Sequence, residues 1–243
     1  MIRLLFLSYR ALGYMNQWFH PEAFPESNEY YIVDNGQQSV PDKLSPYILW
    51  QTEKNTGFSG GVNILAHIAF DKLGFEKIIV GQDDAQFTQD MLENIWLKTD
   101  SNTLVGAYNR SFEFALFGLH HELFRTVGDF DENFIFGGCE DNDYKHRIKL
   151  AGKQVVGLNY DASMNCSYSS MVEGDKLKLP GVYNATYIKM KWGSAYEYSH
   201  PFNDNSLSPF GEMPMQSGIT DVYGDISEYP SKTELKRYDN RSK

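Results

Sequence analysis

Lys77-Ile78-Ile79-Val80-Gly81-Gln82-Asp83-Asp84-Ala85 is a short apolar run that stops on a glycine and opens into two adjacent acids. Such a run, bounded by turn residues, reads as a buried strand. Upstream, Asn55-Thr56-Gly57-Phe58-Ser59-Gly60-Gly61-Val62-Asn63 leads into a segment where Val62, Leu65, Ala66, Ala69 and Leu73 share a face and Gly74 ends the pattern. That spacing predicts a helix following the glycines. Downstream, Thr88 is placed to cap a helix carrying Met91, Leu92, Ile95 and Trp96. Helices alternating with strands imply βαβ units. The expected fold class is therefore α/β, with a mixed, mainly parallel sheet flanked by helices.

Working outward, Ile2 to Leu7, Glu29 to Val33 and Tyr47 to Gln51 read as further strands. The first opens into Ser8-Tyr9-Arg10 and the second into Asp34-Asn35-Gly36. Ligands of open α/β sheets sit beyond the carboxyl ends of the strands, so the polar clusters after Leu7, Val33 and Val80 converge on one edge. Beyond residue 100, Thr103 to Tyr108 and Phe112 to Leu119 read as strands, His120 to Val127 as a short helix and Lys153 to Leu158 as a returning strand. Between them lie Val127-Gly128-Asp129-Phe130-Asp131-Glu132 and Phe136-Gly137-Gly138-Cys139-Glu140-Asp141-Asn142-Asp143-Tyr144-Lys145-His146-Arg147. Tyr144, Ile148 and Ala151 recur there as one helix face, with Gly152 as the stop. From about residue 160 the pattern is irregular. A domain over 1–200 is expected, with 201–243 as a Pro-, Gly-, Ser- and Asp-rich extension, a lid or an arm to a partner.

Composition narrows the functional classes. With 243 residues, 42% of them hydrophobic, the chain can bury a core without staples. Cys139 and Cys166 are far apart and form no C-x-x-C pair, against a disulfide framework or zinc knuckle. A net charge of −10 counts against a protein living on phosphate backbones. The N-terminal apolar run is too short for a secretory segment and nothing approaches a membrane span, so a cytoplasmic protein is expected. The glycan-acceptor patterns at Asn109, Asn165, Asn184 and Asn240 are then idle. No P-loop, G-x-G-x-x-G, H-E-x-x-H or G-x-S-x-G pattern is present.

Two acidic pairs remain. Asp83 and Asp84 repel one another at a strand end, which a hard divalent cation, Mg²⁺ or Mn²⁺, relieves. Glu140 and Asp141 open a helix, where the macrodipole alone stabilises carboxylates by about 0.3 to 1 kcal/mol. Local sequence does not separate that explanation from chemistry.

The order of the pieces does. Val33-Asp34-Asn35-Gly36, then the Asn55 to Asn63 segment, then Gln82-Asp83-Asp84, then Val127 to Glu132 with Glu140-Asp141-Asn142-Asp143 and Arg147, resembles the family 2 glycosyltransferases of the GT-A fold over about residues 2 to 165. The rhamnosyltransferase-like members are the nearest in pattern, and Lys191-Trp192-Gly193 with Pro201-Phe202-Asn203 resembles small viral or phage enzymes. The resemblance implies an inverting transfer of sugar from a nucleotide-sugar donor to an acceptor hydroxyl. It places Asp34 and Asn35 on the nucleotide, with Ser8, Tyr9 and Arg10 lining that pocket. Gly61 and Asn63 pass beside the donor, with Gln82 and Asp83 at the diphosphate. Asp83, with Asp84, holds the divalent metal. Asp141 is the general base and Glu140 its partner, while Gly138 and Trp192 lie on the acceptor side. Asp143 and Arg147 read as structural.

Two departures stand out. Gly81 replaces the first acid of a D-x-D motif, and no histidine stands near Asn165-Cys166-Ser167, where Asn165 or His200 would have to serve instead. The acceptor implied is a cell-surface or lipid-linked glycan, or a modified DNA base if Lys176, Lys178, Lys189 and Lys191 form a basic stripe. The alternative is a carbohydrate- or nucleotide-binding relative that keeps the fold without catalysis.

Overall fold

In the computed structural model, residues 1–36, 38–108, 113–134, 136–161 and 178–192 are described, the side chains of 113, 178–183 and 190 excepted. The extension 201–243 lies outside them, as do Asn109, Phe112, Asn165, Cys166, Lys176, His200 and Asn240.

Seven strands form one sheet: β1 (Arg3–Ser8), β2 (Glu29–Asp34), β3 (Ile48–Gln51), β4 (Lys77–Gln82), β5 (Thr103–Tyr108), β6 (Leu116–His120) and β7 (Gln154–Tyr160), in the order β3-β2-β1-β4-β6-β5-β7. β6 alone runs antiparallel to its neighbours, so the mainly parallel sheet expected from the alternating pattern is what the chain builds. Strands of such a sheet are buried on both faces. Leu5, Leu7, Val33, Ile78 and Val80 accordingly enter one core, and Leu4, Phe6, Ile32 and Ile79 the other.

Helices α2 (Gly57–His67), α4 (His121–Val127) and α5 (Glu140–Leu150) contribute to the first core, while α1 (Leu12–Trp18) and α3 (Gln89–Lys98) contribute to the second. Thr88 caps α3 as its position predicts, its hydroxyl accepting from Met91 N–H at 3.3 Å. The His120 ring does the same for α4, accepting from Glu122 N–H at 3.1 Å.

Three expectations are corrected. The glycines do not precede α2; they are its first turns, Gly60 lying against the Thr56 side chain at the helix start and Gly61 against Leu7 of β1. A Cβ at Gly60 would lie 2.8 Å from Thr56 Cβ, and one at Gly61 would overlap Leu7 Cδ1 of β1. The strand expected over Phe112 to Leu119 is a 3-10 turn, Glu113–Ala115, followed by β6. The region after residue 160 contains a helix, α6 (Lys178–Trp192), whose side chains Asn184, Tyr187, Ile188, Lys191 and Trp192 are buried.

Candidate active site

Strands β1, β2 and β4 are parallel and in near register, with Ser8 opposite Asp34 and Leu7 opposite Gln82. Their carboxyl ends therefore bring Ser8, Asp34 and Asp83 to one edge. The sheet order reverses between β1 and β4, which is where an open α/β sheet leaves its binding crevice. Asp83 bridges that point: its Oδ2 accepts from the Tyr9 N–H at 2.9 Å, and its carbonyl accepts from Trp18 Nε1–H at 3.1 Å. Asp83 and Asp84 are both buried. Burial first, and the Asp84 charge against the Ser8 hydrogen bond, push the Asp83 carboxyl up to about 8.

Buried hard-oxygen donors set side by side are the arrangement a divalent cation relieves. Asp83 and Asp84 are the residues here that could hold Mg²⁺ or Mn²⁺. Among the described residues no cluster of three or more His, Cys, Asp or Glu surrounds them. Gly81 offers no first acid for a structural reason. A Cβ there would lie 3.3 Å from both Phe6 Cδ1 and Leu116 Cδ1, facing the core and not the crevice.

On β2, Asp34 is fully buried and its carboxylate is bound internally. Oδ2 accepts from Gln38 N–H at 2.8 Å and Gln51 Nε2 at 2.9 Å, and Oδ1 accepts from Gln38 Nε2 at 2.8 Å. Gln38 and Gln51 were not singled out in the sequence, although Gln51 ends the expected β3. Tyr9 is half-buried and Arg10 exposed, at a left-handed φ of 58°. Asn35 is consumed by the loop it organises: Oδ1 accepts from Thr52, Thr56 N–H and the Thr56 hydroxyl, and Nδ2 donates to Asn55 and to the Gly57 carbonyl.

Two residues expected beside the donor are doing something else. Gly61 faces Leu7. Asn63 is buried and pins the Phe130 backbone from both sides, donating to its carbonyl at 2.9 Å and accepting from its N–H at 2.8 Å, with a further bond to Glu132 Oε1. Glu132, pushed up to about 7 chiefly by burial, was not anticipated.

The second acidic pair opens α5. Gly138 and Cys139 take left-handed φ values of 104° and 72°, turning the chain into the helix, and Gly138 is exposed. Glu140 is buried, with Oε2 accepting no hydrogen bond, and burial followed by the Asp141 charge raises its carboxyl to about 8. Asp141 is more open, its side chain 27% exposed, with Lys145 Nζ 3.7 Å from Oδ2 and Asn142 N–H on Oδ1 at 2.8 Å. The two adjacent carboxyls thus sit in unlike environments, Glu140 buried and Asp141 partly open beside Lys145. The pair is linked to the sheet edge through backbone: Phe58 N–H donates to the Phe136 carbonyl at 2.7 Å, and Asn35 holds Gly57.

Trp192, expected at the acceptor side, is instead completely buried, with Nε1 donating to Asp143 Oδ1 at 2.6 Å. Lys191, which a DNA acceptor would need on a basic stripe, is buried against Asp131 at 2.6 Å and Asp143 at 2.9 Å. Asp143 and Arg147 form a buried ion pair at 2.9 Å, in keeping with a structural role.

No family model and no curated protein matches the sequence. Solved structures do match. That of GalNAc-T7 with UDP, GalNAc and Mn²⁺ aligns over 95% of this chain and 58% of its own, at 13% identity and a TM-score of 0.50. A Drosophila β1,4-galactosyltransferase 7 mutant in complex with manganese, UDP-Gal and xylobiose aligns over 65% of both chains at 15% identity and a TM-score of 0.43. The catalytic domain of that protein with xylobiose gives 65% of both chains, 16% and 0.42. The chain thus spans 58 to 65% of the length of these neighbours. The fold is that of the GT-A glycosyltransferases, a Rossmann-like α/β architecture. No helix among the described residues is long and apolar enough to cross a membrane.

Proposed function

We propose that the chain is an inverting, nucleotide-sugar-dependent glycosyltransferase, with Asp141 as general base. The observation that carries this reading is the pair of unlike carboxyls at the start of α5, tied by backbone hydrogen bonds to the sheet edge that presents Asp34 and Asp83. The acceptor hydroxyl attacks the anomeric carbon as the bond to the diphosphate oxygen breaks, that oxygen leaving with the electron pair. Asp141 accepts the hydroxyl proton, which requires approach to about 3 Å. Burial disfavours the charged form of Glu140, which limits negative charge beside the base. Tyr9, Arg10 and Gln51 border the nucleotide beside Ser8 and Asp34, with Gln82 and Asp83 towards the diphosphate. Asp83 and Asp84 would hold Mn²⁺ or Mg²⁺, which when bound neutralises charge growing on the leaving diphosphate.

The donor reading draws support from neighbours whose structures contain UDP or UDP-Gal with manganese. A glycan acceptor is the branch we favour over modified DNA, because Lys191 is neutralised in the interior and the net charge is −10. The family 2 assignment, a phage source, a cytoplasmic site and the 1–200 and 201–243 division rest on the sequence pattern.

Asp141→Asn should lower transfer by about a hundred- to ten-thousandfold while leaving uridine diphosphate affinity intact. Near-normal turnover in that variant overturns the assignment. Asp83→Ala should weaken uridine diphosphate binding in Mn²⁺, measured by calorimetry, and equal affinity would remove the metal from this site.

A further inference from the structure

Besides ring contacts of Tyr187 with Phe134 and Trp192 with His146, helix α6 makes polar contacts with the start of α5 and with the segment that leads into it. Asn184 Nδ2 donates to the Gly137 carbonyl at 3.1 Å, just before the turn into α5. Tyr187 donates its hydroxyl proton to Asp131 Oδ2 at 2.8 Å. Lys191 Nζ bridges Asp131 Oδ2 at 2.6 Å and Asp143 Oδ1 at 2.9 Å, and Trp192 Nε1–H adds a bond to the same Asp143 oxygen. The other Asp143 oxygen accepts from Arg147 Nε at 2.9 Å, and Arg147 Nη1 donates to the Val127 carbonyl at 3.0 Å. All four charged members are buried, with the negative charges of Asp131 and Asp143 matched by the positive charges of Lys191 and Arg147.

The anchor points bracket the acidic pair. Gly137 lies three residues before Glu140, and Asp143 lies two residues after Asp141 within the same helical turn. Asp131 sits in the loop whose Phe130 ring stacks on Tyr144 of α5, centroids 3.8 Å apart and 3° from parallel. The acidic residues are therefore not positioned by α5 alone. Core packing alone does not call for ions here, since the cluster as a whole could be replaced by apolar side chains of similar volume, but with Asp131 and Asp143 buried the lysine is what compensates their charge. A buried cation that touches one acid in the α5 first turn and another in the adjoining loop sets the orientation of the one against the other.

We propose that Lys191, with Trp192, is a positioning residue for the reaction: through Asp143 and Asp131 it sets the first turn of α5, and so the direction in which Asp141 faces the acceptor. This rests on the transferase reading above. The donor half, Ser8, Asp34 and Asp83, is carried by β1, β2 and β4 and makes no hydrogen bond to the clamp among the described residues. Displacements of about 1 Å at a reacting group cost on the order of a hundredfold in rate, so loosening the clamp acts on turnover and spares donor binding.

The test compares the wild-type chain with Lys191→Met, which removes the charge and keeps the stem, Lys191→Arg, which keeps the charge, and Trp192→Phe, which removes the indole donor together with part of the ring. Three quantities are read well below the unfolding midpoint: kcat and donor KM, affinity for uridine diphosphate with Mn²⁺, and hydrogen exchange of residues 137–145 without substrate. Lys191→Met and Trp192→Phe should lose about tenfold or more in kcat at unchanged uridine diphosphate affinity, with faster exchange at 137–145, and Lys191→Arg should recover most of both. If Lys191→Met does not fold, Trp192→Phe decides alone. Wild-type kcat and exchange in the folded variants overturn the clamp, as does a kcat loss that only follows the unfolded fraction. If wild type transfers sugar from no donor, the transferase reading fails, and the exchange at 137–145 still decides whether Lys191 orders this turn.

Discussion

At the residue level, identity and orientation pull apart most clearly at Gly81. In sequence it stands where a D-x-D motif would carry an acid; in the sheet a side chain there faces Phe6 and Leu116 at 3.3 Å. An aspartate at 81 would be a carboxylate in a packed apolar layer. Gly81→Asp should therefore lose about 1 to 3 kcal/mol of stability by urea denaturation and gain no affinity for Mn²⁺, and tighter Mn²⁺ binding would show that the side chain reaches the crevice after all. Asn63 teaches the same lesson from the other side. It occupies the position expected beside the donor, yet its amide is spent on the Phe130 backbone and Glu132. Acids at strand ends could be read from sequence because strand registry alone carries them to the edge. Whether an amide a turn further on points to ligand or to loop depends on a partner about seventy residues away, and no local pattern encodes that.

Among the elements, most strands and helix α3 are legible because their periods are clean, with Met91, Leu92 and Ile95 all buried, while α5 is legible from Tyr144, Ile148 and the Gly152 stop although polar residues share its buried face. α6 is not, for a physical reason. Its buried face runs through Asn184, Tyr187, Ile188, Lys191 and Trp192 at helical spacing, but two of the five are polar and are paid for by partners on other elements, so the apolar period is broken. α1 is a seven-residue helix without a side-chain cap and with Gly13 inside it, leaving only Leu12 and Met15 as buried signals. The glycines of α2 have the composition of a loop in sequence, whereas they form its first turns, and Gly61 serves close approach of the helix to β1. Gly61→Ala drives a methyl into Leu7 Cδ1, and should cost about 1 to 3 kcal/mol by thermal or urea unfolding; a neutral substitution would mean that α2 stands further from β1 than the packing indicates.

Across the whole molecule, the carboxyls that burial raises push stability in one direction with pH. Burial raises Glu140 from 4.5 to about 8, Glu132 from 4.5 to about 7 and Asp83 from 3.8 to about 8. The unfolded chain gives up these protons first, so between the two values the native state binds more protons and stability falls as pH rises. His67 has the same sign. Hydrogen bonding to Asp129 lifts its ring from 6.5 to about 9, so the contribution present below 6.5 is lost as pH climbs through the folded value. Asp143 and Asp71 have lowered values, the first held down by Arg147 and Lys191 against its burial and the second chiefly by His67, so their contributions disappear only as pH falls through the acid range. The stability maximum therefore belongs on the acid side of neutrality, near about pH 5, with a progressive decline to pH 9. Urea midpoints across that range should show the slope, and Glu140→Gln, which cannot ionise, should flatten it between the unfolded and folded values of Glu140 while leaving the His67 portion above pH 7 in place. A midpoint that rises from pH 5 to 8, or a slope unchanged in Glu140→Gln, would mean that Glu140 is ionised in the folded protein, and the limit that its burial places on negative charge beside Asp141 would fall with it.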